Sequence, residues 1–208
     1  MDAERIPKSR AAWFDDKFAR HPDPWRTRES WYEARKRALT LAALPRARYR
    51  NAFEPGCAIG VLSVELAPRC ERLLCADFAP HALAAARSRL AGLSHVTVES
   101  RAMPRDWPAG RYDLIVISEF AYYLDTPECM ALAQYASRAL DADGTLVCCH
   151  WRHPAETWML ESAEVHRLFA AAAARDALEL VVHVEDADFL LDVWSRDAFS
   201  VARREGAC

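Results

Sequence analysis

Apolar positions along this chain fall into short runs separated by stretches of helical period, and a regular alternation of the two starts near residue 49. Tyr49–Glu54 reads as a strand, Ile59–Ala67 as a helix stopped by Pro68, and Arg72–Asp77 as a second strand. Pro80–Ala91 is Ala-rich and helical, and His95–Glu99 alternates as a third strand. Tyr112–Ser118 has a continuous apolar centre, Leu114–Ile117, as suits a strand covered on both faces. Thr126–Leu140 reads as a helix with Pro127 in its first turn, Asp141–Gly144 as a turn, and Thr145–His150 as a fifth strand. After a helix over Ser162–Ala174 the rhythm changes: the strands Leu178–Val184 and Phe189–Trp194 are separated only by Glu185–Asp188. Parallel neighbours need a crossover of roughly a dozen residues, so this last pair is an antiparallel hairpin. Ahead of the alternation lie a short helix near Ala11–Arg20 and the turns of His21-Pro22-Asp23-Pro24. A second helix follows, capped by Ser30, running to about Ala43 and closed by Pro45. The pattern predicts an α/β fold: a doubly wound, seven-stranded sheet with an antiparallel last strand over residues 46–200, behind an N-terminal helical lid over residues 1–45.

Composition agrees with a packed domain. Of 208 residues, 52% are hydrophobic and 27% charged, and no apolar run approaches the roughly 18 residues that cross a bilayer. Met1–Arg10 is charged and lacks a secretory signal's apolar stretch. These features predict a soluble, cytoplasmic protein with no membrane partner. Seven cysteines without a Cys-x-x-Cys pair read as buried reduced thiols, with no metal site. The net charge, 27 − 30 = −3, hides a basic first fifty residues, 13 Lys/Arg against 7 Asp/Glu. This reads as an Arg-rich helical segment docked on an acidic body; a nucleic-acid surface would need interleaved exposed aromatics over a broader patch.

The chemistry concentrates in Phe53-Glu54-Pro55-Gly56-Cys57-Ala58-Ile59-Gly60, between the first strand and the first helix of the alternation. In such folds this loop faces the ligand crevice, and Gly56 and Gly60 supply positive φ or close approach. A dinucleotide fingerprint would place glycine where Ala58 stands, without an acid just ahead. Glu54 suits the cationic amino-acid end of S-adenosylmethionine (AdoMet) better than a phosphate, so the loop reads as an AdoMet site contributed by Glu54, Gly56, Cys57 and Gly60. Asp77, at the end of the second strand, can accept both ribose hydroxyls, and Phe78 can cover the adenine.

On these residues the sequence resembles the class I AdoMet-dependent methyltransferases, whose Rossmann-like sheet also ends on an inserted antiparallel strand. Within them it resembles the nodulation protein S group, through Asp23-Pro24-Trp25-Arg26, Trp31-Tyr32-Glu33, the 54–60 loop, Asp113–Glu119 with Tyr122-Tyr123-Leu124, and His150-Trp151-Arg152-His153-Pro154. The resemblance runs from about residue 13 to 196. It implies N-methylation of a de-N-acetylated glucosamine end of a chitooligosaccharide, or of a related amine, with S-adenosylhomocysteine as product. O- or C-methylation of another metabolite, and non-catalytic AdoMet binding, stay open. One departure stands out. Where many methyltransferases place an acid for the adenine amino group, this chain has Ser100-Arg101-Ala102-Met103, leaving backbone near Ala102 and apolar contact with Met103 to serve. Ser118 ends the fourth strand beside the same crevice.

An alkyl ammonium cannot attack a methyl group until it loses a proton, so an amine methylase needs a base or a desolvating pocket. His150 and His153 follow the fifth strand and are the candidate bases. Glu119 is the candidate group to orient or neutralise the acceptor amine. Tyr122, Tyr123, Trp151 and Arg152 are candidate walls, with Trp25 and Trp31 from the N-terminal segment as aromatic cover for a small-molecule acceptor.

Overall fold

The computed structural model describes residues 10–197 and 199–207; the charged stretch at the N-terminus therefore lies, up to residue 9, outside the described residues. Strands β1 (Ala52–Pro55), β2 (Leu73–Asp77), β3 (Val96–Ser100), β4 (Tyr112–Ser118), β5 (Leu140–Trp151), β6 (Glu179–Glu185) and β7 (Phe189–Ser195) form one sheet in the order β3-β2-β1-β4-β5-β7-β6. The first five are parallel, and β7 inserts antiparallel between β5 and β6. Helices α3 (Val61–Leu66), α4 (Pro80–Leu90), α5 (Thr126–Arg138) and α6 (Ser162–Arg175) make the crossovers. The sheet predicted from the hydrophobic pattern is therefore present, closing hairpin included.

Most boundaries fall within two residues of those expected, and two differ by more. Tyr49 makes an isolated bridge to Cys70, and β1 begins only at Ala52. The segment read as a turn at Asp141–Gly144 belongs to β5. Tyr112 pairs with Leu140 and Leu114 with Thr145, so the ladder absorbs the extra residues as an irregularity.

The core lies on both faces of the sheet. One side packs Ile115, Ile117 and Cys148 with Phe169 and Leu132; the other packs Leu114, Val116, Val147 and Cys149 with Leu66 and Phe189. β4 is buried along its length except for Ser118, which explains its continuous apolar run. α5 begins with a capping box in which Asp125 accepts the Glu128 backbone N–H and Glu128 reaches back.

Ahead of the sheet stand α1 (Arg10–Arg20) and α2 (Trp31–Ala42). Between them, the buried Asp23 carboxylate accepts the backbone N–H groups of Thr27 and Arg28 and the Thr27 hydroxyl, fixing the Pro-bracketed turn. α1 carries Trp13, Phe14 and Phe18 into a cluster with Trp25, Phe78, Tyr123 and Trp158, with ring centroids 4.9–6.4 Å apart. These aromatic contacts anchor the N-terminal segment over the carboxyl ends of the strands. Among the described residues no helix is long and apolar enough to cross a membrane.

Candidate active site

The loop after β1 is held by its own backbone. Gly56 and Cys57 both donate to the Ala76 carbonyl, at 2.7 and 3.0 Å, and Gly56, Ala58 and Gly60 all take positive φ (74°, 47° and 76°). Ala58 thus adopts the left-handed conformation that the missing glycine would have taken more cheaply. A Cβ on Gly56 would lie 2.5 Å from Phe120 Cδ1, so the space beside it is used by the Phe120 ring.

Two assignments in this loop need correction. Glu54 is buried beneath the loop, with Cys75 Sγ 3.8 Å from Oε2. Burial pushes its carboxyl up to about 8, with Asp77 adding to the rise. Its carboxyl lies under the loop rather than at its surface, so it is not open to a ligand in this structure. The Cys57 side chain turns into the core, so only the backbone of that residue belongs to the loop. The acid that remains beside the loop is Asp77. Its Oδ2 accepts the Ala58 N–H at 3.0 Å and its Oδ1 accepts the Ala79 N–H at 2.9 Å. Each oxygen keeps acceptor capacity, which is what a vicinal diol requires, and in this respect the residues fit the ribose of an AdoMet molecule. Phe78 stands next to it, edge-on to Phe14 at 5.4 Å.

In the turn after β3, the candidate adenine end, the Ala102 N–H donates to Asp106 Oδ2 at 3.0 Å and so is already engaged. Asp106 also donates its own N–H to the Ala102 carbonyl. The turn thus brings to Ala102 the carboxylate that the 100–103 stretch lacks, from three residues beyond Met103. Met103 packs against the core beside it.

The candidate acceptor side is built around Glu119, the residue after Ser118 and β4. It holds a positive φ of 60°, rare for a non-glycine residue and a mark of local strain. Its Oε2 accepts the Tyr122 hydroxyl at 2.7 Å, and its Oε1 lies 3.2 Å from Lys36 Nζ. Lys36, from α2, is 2% exposed, also contacts Glu33 at 2.8 Å, and sits 4.8 Å from the Tyr32 ring centre. Burial pulls its ammonium down, but Glu119 and Glu33 outweigh this and hold it above its ordinary value. Glu119 is thus already neutralised by a buried lysine that the sequence reading did not single out.

His150, at the end of β5, is fully buried. Its ring centre is 5.5 Å from that of Tyr122, and Nε2 has no hydrogen-bond partner. Burial is the main cause that holds it neutral, well below the usual histidine range. A further buried polar atom without a hydrogen-bond partner belongs to the same neighbourhood, the Tyr32 hydroxyl.

His153 behaves differently: it is exposed at the rim, 3.2 Å from Asp188 in the β6–β7 turn, and does not join His150. Arg152 donates to the Asp186 carbonyl and pairs with Glu185, on the hairpin side. Trp151 is half-buried against His153. Tyr123, a candidate wall, and Trp25, a candidate cover, both join the aromatic cluster over the strand ends. Trp31 does not. It is 78% exposed on the outer face of α2, whose inward positions are Glu33, Lys36, Arg37 and Thr40.

A doubly wound sheet with an inserted antiparallel strand, a left-handed loop after β1 and an acid after β2 define an AdoMet-dependent methyltransferase of class I. The nodulation protein S (NodS) family profile matches residues 15–166. This chain belongs to that family. A curated nodulation protein S from Bradyrhizobium diazoefficiens is 34% identical, over 64% of this chain and 68% of the relative. The N-methyltransferase NodS of Bradyrhizobium japonicum WM9, solved with S-adenosylhomocysteine, superposes with a TM-score of 0.78 at 26% identity, covering 89% of this chain and 97% of that one. A candidate methyltransferase from Pseudomonas syringae is 48% identical with a TM-score of 0.70, covering 80% of this chain and 99% of that one.

Proposed function

We propose that this protein N-methylates an amine of a small molecule, the preferred class being a glucosamine-terminated chitooligosaccharide. Family membership supports this reading. So does one observation above others: a buried neutral imidazole, His150, with an unpartnered Nε2 beside the Tyr122–Glu119–Lys36 cluster. AdoMet, when bound, supplies an electrophilic methyl group on a sulfonium. The protein's own tasks are then to hold the nucleoside, position the amine and take its proton. In this reading Asp77 receives the ribose hydroxyls, Phe78 and Met103 flank the adenine, and Asp106 with the Ala102 backbone lies at its polar edge. Ser118 and the loop glycines border the amino-acid end. Tyr122 and Glu119 orient the acceptor, and His150 Nε2 takes the proton, at a nitrogen kept neutral and dry. His153 stays at the rim. α1, α2 and the turn between them close over the cleft as a lid, with Trp25 and Tyr123 as its aromatic lining. The six described cysteines are unpaired and buried, which suits a reducing compartment, and we place the enzyme in the cytoplasm.

The test is methyl transfer from AdoMet to glucosamine-terminated chitooligosaccharides, simple amines and phenols, followed by mass spectrometry. Methylated amine is expected, with His150→Ala lowering kcat by about a hundredfold or more and His153→Ala leaving it within about twofold. Methylation of phenols but not amines, or full activity of His150→Ala, would overturn the assignment.

A further inference from the structure

Behind His150 runs a line of groups that the proposed reaction has not yet used. His150 Nδ1 lies 3.1 Å from His166 Nε2, His166 Nδ1 lies 2.6 Å from Asp192 Oδ2, and Asp192 Oδ1 lies 2.6 Å from His183 Nδ1. His150, His166 and Asp192 are all buried, whereas the His183 side chain is 53% exposed. The line ends at a cavity of about 390 Å3, lined among others by Arg152, Glu161, His166, His183, Glu185 and Asp192. It therefore connects the deepest imidazole of the site to a water-accessible surface on the hairpin side.

Its hydrogen-bond polarity follows from its end. Burial opposes ionisation of Asp192, but hydrogen bonds from His166 and His183 outweigh it and hold the carboxyl below its usual range. An ionised carboxylate only accepts. With His166 as the neutral imidazole carrying its hydrogen on Nδ1, its Nε2 accepts from His150 Nδ1, and the His150 lone pair is left on the unpartnered Nε2.

We propose that His166, Asp192 and His183 are positioning residues that set the tautomer of His150 and drain the methyl acceptor's proton to the outer cavity. This rests on the reading of His150 as the base. The acceptor N–H bond breaks with its electron pair kept on nitrogen, and the proton bonds to His150 Nε2. The Nδ1 proton of His150 passes to His166 Nε2, and the Nδ1 proton of His166 passes to Asp192. Water in the cavity takes it from there, and reorientation of the two imidazoles restores the starting tautomers for the next turnover. His183 anchors the other carboxylate oxygen. The charged and titratable groups facing this line are Lys36 and Tyr122 at the His150 end, the Cys148 thiol across the strand from Asp192, and Arg152, Glu161 and Glu185 at the cavity end.

Two measurements test it. The first is long-range 1H–15N NMR of the imidazoles in the full chain. It should show His150 protonated on Nδ1 and bare on Nε2, with that preference lost in Asp192→Asn. A wild-type His150 protonated on Nε2, or an unchanged tautomer in Asp192→Asn, overturns the proposal whatever the acceptor proves to be. The second is turnover with AdoMet and a glucosamine-terminated chitooligosaccharide. Asp192→Asn should lower kcat by about tenfold or more with KM for AdoMet within about twofold, and free imidazole should restore part of the activity lost in His166→Gly. Wild-type kcat and pH profile in Asp192→Asn, or a folded His166→Gly that imidazole does not rescue, would overturn it. A wild-type enzyme that methylates no amine counts against the proposed acceptor, and the NMR result then decides the relay by itself.

Discussion

Glu54 provides the most quantitative prediction. Its carboxyl ordinarily titrates near 4.5 and burial raises it to about 8 in the folded chain. Between those values the folded protein holds a proton that the unfolded chain has released, so stability falls as pH rises and levels off above about 8. The span, 8 − 4.5 = 3.5 pH units, at about 1.4 kcal/mol each sets a ceiling on the order of 5 kcal/mol. Glu54→Gln keeps the shape and removes the titration. Urea unfolding from about pH 5 to about pH 9 should show the variant gaining on the wild type as pH rises, with most of the gain complete near the raised pKa. Asp77 is also raised by burial and contributes the same sign to both proteins, so it does not produce the difference. Parallel stability curves for the two proteins would refute the reasoning.

Two further substitutions probe the site's construction. Gly56→Ala combines a φ of 74° with a contact at 2.5 Å on Phe120, and should cost about 1–3 kcal/mol in unfolding experiments; adding Phe120→Ala should recover only the steric part. Lys36→Met leaves Glu33 and Glu119 facing each other without a cation, and should cost about 3–5 kcal/mol at neutral pH. That loss should shrink in acid, as the carboxyls become protonated, and can be followed by denaturation at several pH values.

Strand β4 was legible to the residue because burial on both faces leaves the continuous apolar run Leu114–Ile117, closed by Ser118. The β6–β7 hairpin was legible because its short connection admits no crossover. The start of β5 was not, since Asp141-Ala142-Asp143-Gly144 carries turn chemistry and only its partner strand pulls it into the ladder. The glycine loop and Asp77 could be read from spacing, but the burial of Glu54 could not, because it comes from the packing around it. Lys36 escaped notice for the same reason. Lysine is almost never buried without a partner, and its partners lie on its own helix and 83 residues away, on Glu119. Helical period alone could have separated the two aromatics of α2: Tyr32 is four residues ahead of Lys36 and packs inward, while Trp31 falls on the outer face. The imidazole line behind His150 depends on contacts across 16 and 26 residues of sequence and leaves no local signature.

The central claim is that the crevice between the 54–60 loop and Asp77 holds the nucleoside of a sulfonium cofactor. Calorimetric titration of S-adenosylhomocysteine into the wild type and Asp77→Asn measures it directly. A hydrogen bond to a charged group contributes about 1.5–3 kcal/mol, so the variant, folded by circular dichroism, should bind at least about tenfold more weakly, and NADH should not bind either protein. Equal affinity in the two proteins, or displacement of S-adenosylhomocysteine by NADH, would contradict the account.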